Sequence, residues 1–168
     1  MSDGRISLGV RAREAILPNF SAWVDRRRGG LSFHLMQIIT GHGCFNDYLK
    51  RIGKVESNRC EQCRGGTDTA QHNLQECPAW SSQRAALTGK IGNDLTLSSV
   101  IGAMLRSEEA WRAVNAFATG VMEQKEEAER QREESDRLLL AMEDEEPTAT
   151  PPVASTTKEG SQDTLHGS

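Results

Sequence analysis

Four side chains of this sequence have the types and spacing to hold one metal ion: Cys60, Cys63, His72 and Cys77. The pattern is Cys-x2-Cys-x8-His-x4-Cys. Three thiolates and one imidazole form a donor set that zinc takes in a tetrahedral site. The two residues between Cys60 and Cys63 let both sulfurs reach one ion from a tight turn, kept polar by Gln62 and Arg64 and followed by Gly65-Gly66. His72 and Cys77 are five apart, so one helical turn and its end can aim both inward. Protein groups fill all four positions and leave none for a reactive water, so the expected role of Zn2+ is structural rather than hydrolytic. Three of the four cysteines fall on this pattern. The fourth, Cys44, reads as a small buried apolar residue, and His34 and His42 read as helix-packing histidines. A redox pair at Cys60 and Cys63 is the competing chemistry; it requires an accessible low-pKa thiolate and no metal.

The second group with chemical potential is cationic. Trp23 precedes Arg26, Arg27 and Arg28, and Lys50, Arg51, Lys54, Arg59 and Arg64 lead into the cysteines. Aromatics beside arginines suit base stacking and phosphate contact; the alternative is that Phe20 and Trp23 dock on the core. Formal charge is +5 up to Arg64 and −9 beyond it. The basic front half suits a polyanion and the acidic back half does not. The gap of eight before His72 is longer than in retroviral-type knuckles. Zinc modules of this size serve RNA, DNA and protein partners alike, so spacing leaves the partner open.

Hydrophobic residues are only 36% of the chain, so part of it builds a core and a metal staple is expected to help. Residues 1–30 read as a basic, aromatic tether, with a short helix over 11–17 stopped by Pro18. Residues 31–122 read as a helical zinc-knuckle domain. Its first helix, 31–40, carries Leu35, Ile38, Ile39 and His42 on one face and ends at Gly41 and Gly43. A second, 44–52, carries Phe45, Tyr48, Leu49 and Ile52. A helical turn over 69–76 presents His72, and a helix from Pro78 to about Gly89 is expected to bury Trp80, Ala86 and Leu87. Another spans 96–105. Ser107-Glu108-Glu109 starts a last helix, on which Trp111, Val114, Phe117, Ala118, Val121 and Met122 recur at three and four. Residues 123–142 extend that helix: 123–134 carry charged side chains and no apolar face and are expected to project into solvent, and Leu138-Leu139-Leu140 with Met142 add a short apolar patch. Residues 143–168, rich in Glu, Thr, Ser and Pro, read as a disordered tail. The fold class is mostly α: a small helical domain organised around one structural zinc knuckle, with a long charged helix. No apolar run reaches bilayer length and no signal-peptide stretch follows the N-terminus, so the expected location is intracellular.

Leu31–Phe45, Tyr48–Gly53 and Glu76-Cys77-Pro78-Ala79-Trp80 resemble, in order and spacing, the C-terminal region of arthropod non-LTR retrotransposon open reading frame 2 polyproteins, of the clade that inserts into ribosomal DNA and telomeric repeats. Trp23-Val24 with Arg26–Arg28 resembles the entry to that region, and Val114–Phe117, Val121-Met122 and Lys125–Arg130 its closing helix. The likeness spans about 16–132. It implies an endonuclease and reverse transcriptase elsewhere in the parent, target-primed reverse transcription as the process, RNA or DNA as partner, and a nuclear site of action. The chain carries no Asp-Asp polymerase motif, so no catalysis is expected of it alone. The alternative function is a zinc-stabilised protein-interaction module that docks on the polymerase or another protein.

Overall fold

The computed structural model describes residues 7–144 and Gly160. Among them are seven α-helices: α1 (Ser7–Ile16), α2 (Phe20–Asp25), α3 (Phe33–Thr40), α4 (Asn46–Arg51), α5 (Ser81–Ile91), α6 (Leu97–Arg106) and α7 (Glu108–Glu143). There is no strand among the described residues, only one antiparallel bridge between Arg59 and Thr67. No helix among them is long and apolar enough to cross a membrane. The chain falls into two compact units, residues 1–133 and 134–168. Beyond residue 144 the expected tail, Gly160 apart, lies outside the described residues.

The α3–α4 hairpin forms for local reasons. Ser32 caps α3, its Oγ accepting the Leu35 N–H at 3.2 Å. The same hydroxyl donates to Asn115 Oδ1 at 2.6 Å and so ties the start of α3 to α7. Gly41 closes α3 in the left-handed region (φ 76), returning its N–H to the Gln37 carbonyl, a conformation that glycine adopts at little cost. Leu35, Ile38, Ile39, Phe45 and Leu49 are buried, as their spacing predicts. Ile52 is not; it is half exposed beyond the end of α4. Ala86 is likewise exposed, because α5 turns Leu87 rather than Ala86 to the core.

Residues 7–25 are not a tether. Ala15 of α1 is buried in the main cluster. Arg11 donates to the Ile38 carbonyl at the end of α3 (3.2 Å) and to Gln71 (2.9 Å). Trp23 stacks on Trp111 of α7 (centroids 6.0 Å, 27°) beneath the Arg26 guanidinium, 4.3 Å above its ring. Trp111 in turn donates to the Gly30 carbonyl. Gly29 sits against the Trp111 ring so closely that a Cβ there would lie 2.6 Å from it.

The apolar stripe of α7 runs as predicted from Trp111 through Met122, all buried. Beyond Met122 the helix does not project freely into solvent. Lys125 is 3% exposed. Glu126 holds His34 and Gln37 (3.2 and 3.3 Å), Glu129 pairs with Lys54 (4.0 Å) and Arg132 with Glu61 (3.0 Å). Residues 123–133 therefore pack against the hairpin and the cysteine loop through polar groups. Those groups leave no signal in an apolar periodicity. In the second unit, Leu138, Leu139, Leu140 and Met142 are all exposed.

Candidate metal centre

The four side chains that can hold a metal ion, Cys60, Cys63, His72 and Cys77, come from two short segments. Cys60 and Cys63 flank a turn clamped by the 59–67 bridge, where Cys60 N–H donates to the Gly66 carbonyl and Asp68 N–H to the Asn58 carbonyl. Arg64 takes the left-handed conformation (φ 56), and Gly65 N–H points back to Cys63 Sγ at 3.4 Å. His72 opens a single π-type turn, His72–Glu76, which Cys77 ends by donating to the His72 carbonyl. The turn is held from behind by Arg84 of α5, which donates to the carbonyls of Asn73, Leu74 and Cys77.

The ligand atoms all lie within 4.8 Å of one another. Cys60 Sγ and Cys77 Sγ are 3.8 Å apart, and Cys63 Sγ and His72 Nε2 are 3.4 Å apart. Bonds of about 2.3 Å to sulfur and about 2.0 Å to nitrogen give tetrahedral edges of about 3.8 Å and about 3.5 Å. The two measured edges match those of a tetrahedral site, and the four side chains form a group that can hold a metal ion. His72 Nδ1 faces Glu76 Oε2 at 3.5 Å, which leaves Nε2 as the ligand nitrogen and orients the ring from behind.

The thiols respond to their surroundings unequally. Burial pushes Cys60 up to about 12, with the Asp68 charge adding to the rise, and burial also raises Cys77. At Cys63 burial acts upward too, but hydrogen bonds from the Gly65 N–H and from His72, Cys60 and Cys77 outweigh it and bring the thiol down to about 7. A metal must displace these protons, so binding strengthens as pH rises. With Cys60 and Cys77 protonated at neutral pH and Cys63 about half so, the logarithm of the apparent metal affinity is expected to rise by about two to three per pH unit between pH 6 and 7. Competition against a chromophoric chelator over that range measures the slope, and a slope below one would rule out thiolate capture by all three cysteines.

Behind the ligands lies a buried polar cluster that sequence reasoning misses. Asp68 is 1% exposed. Its carboxylate accepts both Lys125 contacts at 2.9 Å, the Asn46 N–H at 2.9 Å and Asn73 Nδ2 at 2.6 Å. Asn73 Oδ1 accepts from the Trp80 indole at 2.7 Å. Asn46 Nδ2 donates to the Arg59 carbonyl (2.8 Å), and Lys125 also reaches Gln62 between the first two cysteines (3.1 Å). The cluster therefore joins α4, both ligand segments and α7. One signal was available: Lys125 continues the buried three-four stripe of α7.

The cationic candidates are not gathered in one place. Trp23 and Arg26 are committed to each other and to Trp111, with Arg26 donating to the Trp23 and Gly29 carbonyls. Arg28 pairs with Glu108 and Arg51 with Asp47. Lys54 pairs with Glu129 and Glu133, and Arg59 donates to the Arg64 carbonyl. Among the described residues, the side chains of Arg27, Lys50 and Arg64 make no hydrogen bond or ion pair. Glu108 and Glu129, which hold Arg28 and Lys54, are 21 residues apart on α7, about 32 Å at about 1.5 Å per residue.

Over 137 residues, 82% of the chain, the sequence is 27% identical to the "Retrovirus-related Pol polyprotein from type-1 retrotransposable element R1 4" of Nasonia vitripennis. The match takes in 35% of that protein, so the chain spans about a third of the length of this relative. No family model and no solved structure matches it. The similarity supports a retrotransposon origin.

Proposed function

We propose that this chain is a zinc-stapled, non-catalytic nucleic-acid-binding module of a non-LTR retrotransposon polyprotein. In this reading the ion at Cys60, Cys63, His72 and Cys77 is structural zinc in a CCHC knuckle, and the module holds element RNA or target DNA in the nucleus during target-primed reverse transcription. The observation that carries the reading is the Cys3His group, able to hold a metal ion, inside a helical domain similar to a retrotransposon Pol polyprotein. The free cations Arg27, Lys50 and Arg64 supply backbone contacts. The paired ones, exposed and held by weak surface bridges, can exchange a carboxylate for a phosphate at little cost.

Anisotropy of a labelled single strand of about 20 nucleotides, titrated with salt, tests this. Three to five phosphate contacts at about 0.7 each give an expected slope of log K against log salt of roughly −2 to −4. Arg27→Ala with Lys50→Ala and Arg64→Ala flattens it by about 2, irrespective of sequence. Trp23→Ala lowers the melting temperature and leaves binding per folded molecule intact, because Trp23 is stacked between Arg26 and Trp111. No binding at low salt, even after Glu129→Gln and Glu133→Gln free Lys54, would reject the reading. The protein-docking alternative would then take its place. Leu17, Phe20 and Val24 favour that alternative, each more than half exposed and spaced three and four apart.

A further inference from the structure

A cavity of about 520 Å³ opens between the 26–30 loop and the junction of α6 with α7. Its floor is apolar: Ala22 of α2, Met104 and Leu105 of α6, and Trp111 of α7. Its rim is cationic: Arg27, Arg28 and Arg112, with one acidic group, Glu108, bridging the last two (3.6 Å to Arg28, 2.5 Å to Arg112). Arg26 is excluded from ligand contact, because its guanidinium is spent on the Trp23 ring and on two loop carbonyls. It serves instead to fix the loop that makes one wall. Gly29 also lines the cavity and sits directly against the Trp111 ring system, where a Cβ would lie 2.6 Å from it.

We infer that this cavity takes one unstacked nucleobase of a single-stranded or locally unpaired nucleic acid, with the flanking phosphates on the arginine rim. The inference rests on the nucleic-acid reading above and specifies a site for it. The volume lies in the range of about 300–1,000 Å³ typical of small-molecule pockets. The floor offers a base face apolar contact in place of its lost stacking neighbours. Arg27, free of any partner, and the two arginines sharing Glu108 carry more positive charge than one carboxylate neutralises. A base paired within a duplex cannot reach the floor, which makes the pocket selective for unpaired strands.

Ala22→Phe tests the assignment. Ala22 is exposed on α2, so the added ring fills the cavity without entering the core and without changing charge. The zinc-loaded full chain is measured by anisotropy on three probes: a single strand of about 20 nucleotides, the same strand carrying abasic sites throughout, and its duplex. The parent chain is expected to prefer the base-carrying single strand over the abasic one by about tenfold, in line with the stacking contribution of one base. Ala22→Phe is expected to remove that preference and leave the salt slope and the duplex affinity as they were. Equal loss on the abasic strand, or an unchanged preference in a variant whose melting temperature matches the parent, overturns the pocket while leaving salt-dependent binding standing. Should the variant fold poorly, the parent's own preference decides: no difference between base-carrying and abasic strands removes the pocket. Absence of any binding by the parent chain overturns the pocket together with the reading on which it rests.

Discussion

Cys63→Ser is expected to unfold the cysteine loop and most of the core around it, whereas Cys44→Ser is expected to change stability by less than about 1 kcal/mol. Structural zinc contributes about 10–16 kcal/mol of coupled folding free energy at neutral pH, comparable to the whole stability of about 5–15 kcal/mol that a domain usually has. The ligands are not appended to a finished core. Cys60 and Cys77 are fully buried in the same cluster as Leu74, Trp80 and Leu87. With the ion gone, the 60–77 segment keeps one β-bridge and one turn as its own backbone structure. Cys44 serves as the control. It lies half buried beside α7, its thiol pushed up to about 12 by burial, then by the hydrogen bond to Glu129 and by the charges of Glu129 and Glu126. A serine hydroxyl can keep that hydrogen bond. Elemental analysis should find one zinc per chain, and far-ultraviolet circular dichroism should follow cooperative loss of helix as a chelator is added. Zinc-free protein with the full helical signal and an unchanged melting temperature would refute the staple.

Lys125→Met should cost about 3–5 kcal/mol, the penalty for leaving a buried carboxylate without its cation. Both side chains of the pair are almost wholly excluded from solvent, 2% for Lys125 and 1% for Asp68, so water cannot replace the lost ammonium. Adding Asp68→Asn to Lys125→Met removes the stranded charge and should recover part of the loss, though one of the Asn46 and Asn73 contacts has no second oxygen to accept it. The contrast is Lys54→Met. Lys54 bridges Glu129 and Glu133 but is 55% exposed, and exposed pairs contribute about 0–1 kcal/mol. Urea unfolding of the zinc-loaded variants measures all three. A Lys125→Met effect no larger than that of Lys54→Met would mean that α7 does not seat its ammonium on Asp68. Because the pair joins α7 to both ligand segments, Lys125→Met should also accelerate loss of zinc to a chelator.

Features that depend on only a few neighbouring residues were legible in the amino-acid order. The four residues that can hold a metal ion sit in two short segments of Cys-x2-Cys and His-x4-Cys, and a turn and a single helical coil bring the members of each pair close together. Gly41 ends α3 because its own backbone accepts φ 76. The apolar stripe of α7 up to Met122 is a periodicity and needs no partner to be read. Which cation meets which anion depends instead on how distant segments pack. Lys125 and Asp68 are 57 residues apart, Trp23 and Trp111 are 88, and Lys54 and Glu129 are 75. The place of Lys125 in the three-four stripe of α7 points inward, but nothing local says which carboxylate it meets. The docking of α1 and α2 was hidden for the same reason, since a basic, aromatic segment is equally compatible with a tether and with a flank packed through Ala15, Arg11 and Trp23. Local backbone preferences act over one turn of chain, whereas the burial of a charge is set by the groups that distant segments bring to it.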